Sequence, residues 1–256
     1  MVIKRLRNMK KISLLVLPVL ISCNTICPEK KENEQNIITE TEDYSTLKTI
    51  DAINAPNGYE RKTTPDDSFG SFLRGLKLSN NNTVYLFDGT KKDNQNQYAV
   101  IAMPLDGALE QCADFVMKLR MLYLKTQSKD MIFYDNEDGV YKLSYPYNNF
   151  NNYKQRVFGM CGTMSLSKHL LPRDMKDIEI GDVFIKGGFP GHVQIVIDVV
   201  EDTEGHKLFM LAEGYTPAQS PHIVKNVNDD SPWFSSDENT IASTGYTFTS
   251  DQLMTW

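Results

Sequence analysis

Asp182-Val183-Phe184-Ile185, the loop Lys186-Gly187-Gly188-Phe189-Pro190-Gly191, and His192-Val193-Gln194-Ile195-Val196-Ile197-Asp198-Val199-Val200 decide the fold. Both runs are β-branched and of strand length, and a Gly/Pro loop parts them. Alternation in the second run puts His192, Gln194, Val196 and Asp198 on one face. Val193, Ile195, Ile197 and Val199 fall on the other. Residues 201–206 form a turn and 207–213 return, so the sheet is predicted to be antiparallel. Residues 228–239 read as loop, and Tyr246-Thr247-Phe248-Thr249 as a last short strand.

Upstream, Asp67-Ser68-Phe69-Gly70 starts a short helix. Val84-Tyr85-Leu86-Phe87 and Tyr98-Ala99-Val100-Ile101-Ala102-Met103 read as a hairpin across the polar stretch 88–97. A clear helix follows Pro104: Leu109, Cys112, Val116, Leu119 and Tyr123 form one apolar stripe at three- and four-residue steps. Asp106 is its predicted N-cap, and Asp114 with Lys118 an i,i+4 pair. A second hairpin joins Met131-Ile132-Phe133-Tyr134 to Val140-Tyr141-Lys142-Leu143. A helix from Asn151 carries Tyr153, Val157, Cys161 and Met164 on one side, with Gly159 and Gly162 as candidate breaks. The sum is α+β: an antiparallel sheet with packed helices.

The first residues have a different physics. Lys4, Arg5, Arg7, Lys10 and Lys11 precede the apolar run 12–21, which is too short to span a bilayer. It ends on Leu20-Ile21-Ser22-Cys23, which resembles a bacterial lipobox. That resemblance implies a signal peptide over 1–22, a lipidated polar tether over 23–49 with the lipid on Cys23, and one α+β domain over 50–256. The expected location is the cell envelope, periplasmic or associated with the outer membrane, held by the lipid anchor. Five of the 27 basic residues and none of the 33 acidic ones lie in 1–22. The remainder therefore holds 22 basic against 33 acidic residues, a net charge of −11. That charge argues against nucleic acid as a partner.

Two domain cysteines remain, Cys112 and Cys161, and in an oxidising compartment a disulfide between them is the expectation. No zinc spacing, phosphate loop or serine elbow occurs, so neither a metal nor a cofactor is implied. The aromatic segment 145–150 reads as packing over a loop, Asp182 as a turn former, and the acidic run 201–204 as a solvated hairpin tip.

The stretch from Ile180-Gly181-Asp182 to Gly191-His192-Val193 resembles the C-terminal half of NlpC-like and CHAP-type cell-wall cysteine peptidases. That resemblance implies a papain-like core and His192 as general base. Five other pieces resemble an uncharacterised family of bacterial lipoproteins: 58–61, 69–74, Gln111-Cys112-Ala113-Asp114 and its sequel to Leu124, Pro190-Gly191-His192, and Pro217-Ala218-Gln219-Ser220. That family implies no activity.

A cysteine hydrolase needs a thiol, a histidine within reach and a polar group to orient it. His192 is the predicted base, with Glu213, Gln219 and His222 as candidate orienters. Cys112 and Cys161 are both open as nucleophile; the apolar stripe argues for Cys112 as a packed core thiol, and neither sits in the Asp-Cys-Ser-Gly pattern of NlpC-like enzymes. Gly187, Gly188, Gly191, Gln194 and Tyr215 are the candidate binding residues. Three readings follow: a catalytically silent domain binding a cell-wall (peptidoglycan) fragment or envelope protein, which the missing motif favours; a cysteine peptidase or amidase acting on envelope peptide or glycopeptide; and a purely structural lipoprotein.

Overall fold

Alternation along 192–200 sorts side chains to two faces, and the computed structural model has both faces covered. It describes residues 45–256, all within one compact unit. The predicted signal peptide, Cys23 and most of the tether lie outside the described residues. No helix among the described residues is long and apolar enough to cross a membrane.

In chain order the elements are α1 (Phe69–Arg74), β1 (Ala99–Val100), α2 (Cys112–Thr126), β2 (Met131–Tyr134), β3 (Val140–Leu143), α3 (Phe150–Met160) and α4 (Thr163–His169). There follow β4 (Leu171–Pro172), β5 (Val183–Lys186), β6 (His192–Glu201), β7 (Lys207–Glu213), β8 (His222–Ile223), β9 (Trp233–Ser235), β10 (Thr240–Ala242), β11 (Thr247–Thr249) and β12 (Leu253–Thr255). Eight strands make one sheet in the order β1-β8-β7-β6-β5-β12-β4, with β9 also beside β7. Every pairing in it is antiparallel. The fold is α+β.

Val183, Ile185, Val193, Ile195, Ile197, Met210 and Ala212 pack with Phe115, Val116 and Leu119 of α2. Phe184, Val196, Phe209 and Leu211 point the other way, into a cluster with Phe234, Ile241 and Phe248. The helices thus cover one face, and the β10–β11 hairpin covers the other. A register shift between Val196 and Asp198 interrupts the alternation. Asp198 is fully buried and accepts from the Nε of both Arg61 and Arg74 at 2.7 Å. Two charge-assisted bonds are what make a carboxylate tolerable there.

The β2–β3 hairpin pairs as predicted. The predicted hairpin of 84–87 with 98–103 is absent. Gln95 instead accepts from the Val84 amide at 2.8 Å and donates to the Val84 carbonyl at 3.0 Å, so a side chain satisfies the backbone that a partner strand would have paired. Residues 99–100 pair with β8. Within the predicted loop 228–239, β9 pairs with β7.

The main helix begins at Cys112, not near Asp106. Gly107 takes φ +93°, a left-handed turn that ends any helical run from Pro104. Asp106 serves in a buried ion network instead. Lys118 Nζ lies 2.9 Å from Asp106 Oδ2 and 2.8 Å from Glu110 Oε2 and donates to the Pro104 carbonyl at 2.6 Å, while Lys154 holds the other Asp106 oxygen at 2.6 Å. The predicted Asp114–Lys118 pair therefore does not form. The network ties the 104–111 loop to α2 and α3. We expect Lys118→Met to strand Glu110 as an unpaired buried carboxyl and cost about 3–5 kcal/mol of stability in urea unfolding.

Candidate active site

The α2 helix starts at Cys112 because Asp114 reaches back: its Oδ2 accepts from the Gln111 amide at 3.0 Å, closing a capping box. Cys112 is thus the first residue of a fifteen-residue helix. There the helix dipole and free amides favour a negative charge. The N-terminus meets the sheet where β6 starts and β7 ends. Gly214, directly after β7, makes that approach possible: a Cβ there would lie 3.0 Å from the Gln111 carbonyl and 2.9 Å from Phe115 Cβ.

Across the junction stands His192, the first residue of β6, and Cys112 lies close enough to bear on the charge of its ring; both line one cavity. His192 Nε2 is 2.7 Å from Glu213 Oε2 at the end of β7. Strand pairing sets Glu213 opposite His222 of β8, whose Nε2 is 3.3 Å from the second oxygen, Oε1. The Gln194 side chain donates to Glu213 at 2.6 Å and to Ser243 at 2.8 Å. A Cβ at Gly245 would collide with both Glu213 oxygens, so a glycine is what lets the β10–β11 connection close over the carboxylate.

The charges reinforce one another. Burial works against a charge on His192, but the Cys112 thiol and the Glu213 carboxylate outweigh it and lift its pKa to about 9. Burial would raise Glu213 too; His192 and His222 overcome that and hold its carboxyl at about 2. Tyr215 and Tyr246 flank the imidazole, each with its ring centroid 5.0 Å away, and Phe248 stacks at 6.1 Å. They leave the ring little freedom to turn.

A cavity of about 620 Å³ opens on this junction. Gln111, Cys112, Asp114, Cys161, His192 and Tyr215 are among its lining, together with the loop residues Gly188 to Gly191. Of the candidate binding residues, Gly188, Gly191 and Tyr215 line it. Gly187 packs instead against Ser167, and Gln194 is spent on Glu213 and Ser243 rather than facing the cavity.

The two cysteines separate. Both are free thiols, so the expected disulfide does not form. Cys161 does not open a helix: it is the extended C-cap of α3, and α4 starts two residues later. Burial, with Asp135 and Asp114 adding to it, pushes its thiol up to about 12, which keeps it protonated. Cys112 is buried in the core cluster, as expected of a packed thiol, and it also stands beside His192. Of the candidate orienters, Glu213 holds His192, and His222 backs Glu213. Gln219 is buried where its backbone bridges Leu86, and its side-chain amide donates no hydrogen bond to His192 or Glu213. Asp182 shapes a turn as predicted, accepting from the Glu179 amide at 2.8 Å. Sequence reading missed Gly214, Gly245 and Asp114 as parts of the site. Their signals are close approaches that one sequence does not display.

A family model matches two overlapping segments, residues 50–146 and 140–255, under the description "Domain of unknown function (4846)". The chain belongs to that family. All five sequence pieces that suggested a family of unknown function lie within the matched residues, and so do Cys112, His192, Glu213 and His222. No curated protein and no solved structure matches the chain. The family carries no activity to transfer, so the chemistry rests on the site itself. Among the described residues no group of His, Cys, Asp and Glu is arranged to hold a metal ion.

Proposed function

We propose that this chain is a cysteine hydrolase on a papain-like scaffold, anchored at the bacterial envelope through Cys23, that cleaves amide bonds in envelope peptide or glycopeptide. One observation carries the reading: a thiol on the first residue of a long helix, beside a histidine whose Nε2 is held by a buried carboxylate. Thiol, base and orienter are what nucleophilic catalysis by cysteine requires. The missing Asp-Cys-Ser-Gly pattern favours a silent domain, whereas the position of Cys112 at the start of α2 supports the hydrolase.

In this mechanism Nε2 of His192 stays with Glu213, and Nδ1 is the nitrogen left for the thiol. The ring takes the Cys112 proton, and Sγ attacks the scissile carbonyl carbon. The helix N-terminal amide of Cys112 and the side-chain amide of Gln111, which Thr216 Oγ1 steadies at 2.8 Å, are the candidate donors to the oxyanion. The C–N bond breaks as His192 gives its proton to the leaving amine. Water, deprotonated by His192, then splits the thioester and restores the thiol.

Alkylation with iodoacetamide, followed by mass spectrometry of both thiols, tests the reading. Cys112 is expected to react at least about tenfold faster than Cys161, and His192→Ala to remove most of that advantage. Equal, slow labelling of the two thiols, unchanged in His192→Ala, would leave the enzyme without an activated nucleophile. A silent binding domain would then be the better account.

A further inference from the structure

Asp114 has a second carboxylate oxygen that helix capping does not use. Oδ2 takes the Gln111 amide, while Oδ1 is buried without a hydrogen-bond partner. The residue is 6 % exposed and lines the cavity that holds Cys112 and His192. The cation one turn along the helix, Lys118, is committed to Glu110 and Asp106. No lysine or arginine is among the cavity's lining residues. A buried carboxylate oxygen with no donor is costly, and no group among the described residues supplies one.

We propose that Asp114 is a specificity residue, and that its free oxygen receives a positively charged amine of the substrate in the cavity that Cys112 and His192 also line. This deepens the hydrolase reading and rests on it. A substrate ammonium would donate to Oδ1 where no described side chain does, and the one cation lining the cavity, the His192 ring, is held by Glu213. Burial, followed by the neighbouring Glu110 against the Gln111 hydrogen bond, already lifts the Asp114 carboxyl to about 7, which is the condition of an acid that lacks its cation. An amine arriving there would restore the ionised form. Phe158 also lines the cavity and offers apolar surface to the amine's carbon neighbours. Substrates with a free amino group near the scissile bond are therefore preferred over acylated ones.

Thiol-modifying reagents of matched size and different charge report on this. With 2-aminoethyl methanethiosulfonate and its neutral propyl analogue, mass spectrometry gives the rate at Cys112 for each. We expect the cation to be favoured about tenfold in the wild type and the ratio to fall near one in Asp114→Asn, whose amide oxygen can still cap the helix. An unchanged ratio in a folded Asp114→Asn would overturn the assignment. Should that variant not fold, the wild type alone decides: alanyl-alaninamide is expected to slow Cys112 modification and N-acetyl-alanyl-alaninamide is not, and equal protection would overturn it. Failure of the hydrolase reading looks different, since neither reagent would then distinguish Cys112 from Cys161.

Discussion

Cys112→Ala is expected to reduce amide hydrolysis by about 10⁴-fold or more, while Cys161→Ala changes it less than about twofold. The asymmetry comes from placement, not residue type. Cys112 opens α2 beside the ring of His192; Cys161 caps the end of α3, where burial holds the proton on. Release of new amino groups from a digest of cell-wall peptides measures the effect. A packed alanine leaves the helix start intact, because the cap is made by Asp114 and Gln111. Binding of a cell-wall fragment should therefore survive in Cys112→Ala. Hydrolysis that persists in Cys112→Ala would exclude this thiol as nucleophile. A wild type that binds a fragment, cleaves nothing and matches its Cys112→Ala variant would support the silent reading.

Glu213→Gln is expected to lower turnover by about 10²–10⁴-fold and to destabilise the domain by about 3 kcal/mol near pH 6. The carboxylate accepts from Gln194 and stands against both His192 and His222, so an amide in its place offers one acceptor where several donors converge. The pH dependence follows from the two shifts. Glu213 falls from its ordinary 4.5 to about 2 on folding, so its contribution is complete above 4.5 and is lost as pH drops toward 2. His192 rises from 6.5 to about 9, so its contribution is complete below 6.5 and is lost as pH climbs through 9. The difference in melting midpoint between wild type and Glu213→Gln should thus peak between pH 4.5 and 6.5 and shrink on both sides. A difference independent of pH would mean that the carboxylate acts by shape alone. Turnover of the wild type should decline above about pH 9, as His192 loses the proton it must give the leaving amine.

How much of this could be read in advance depends on the range of the interaction. The strands β5 to β7 and the hairpin of β2 with β3 are written in local alternation and turn residues, and they are where the pattern put them. The 84–103 region went the other way because one side chain, Gln95, replaced the partner strand. The apolar stripe through Cys112 was real, for Val116 and Leu119 are in the core. It was extended about one turn too far toward the N-terminus. Periodicity does not reveal that Asp106 is held by Lys118 and Lys154, or that Asp114 reaches back to Gln111.

The amino-acid sequence by itself determined an α+β class, an antiparallel sheet built on the 182–213 strands and a histidine at the start of one of them, because alternation, turn chemistry and chain reversal are properties of neighbouring residues. It also carries the basic, apolar and Cys23 pattern on which the proposed anchoring rests. Only the tertiary structure places one of the two cysteines, Cys112, beside His192. Cys112 and His192 are eighty residues apart in the chain and Glu213 is twenty-one further on, and they meet because α2 ends its approach against Gly214 at the point where β6 begins and β7 stops. That meeting is a product of packing across the whole domain, which no local pattern encodes.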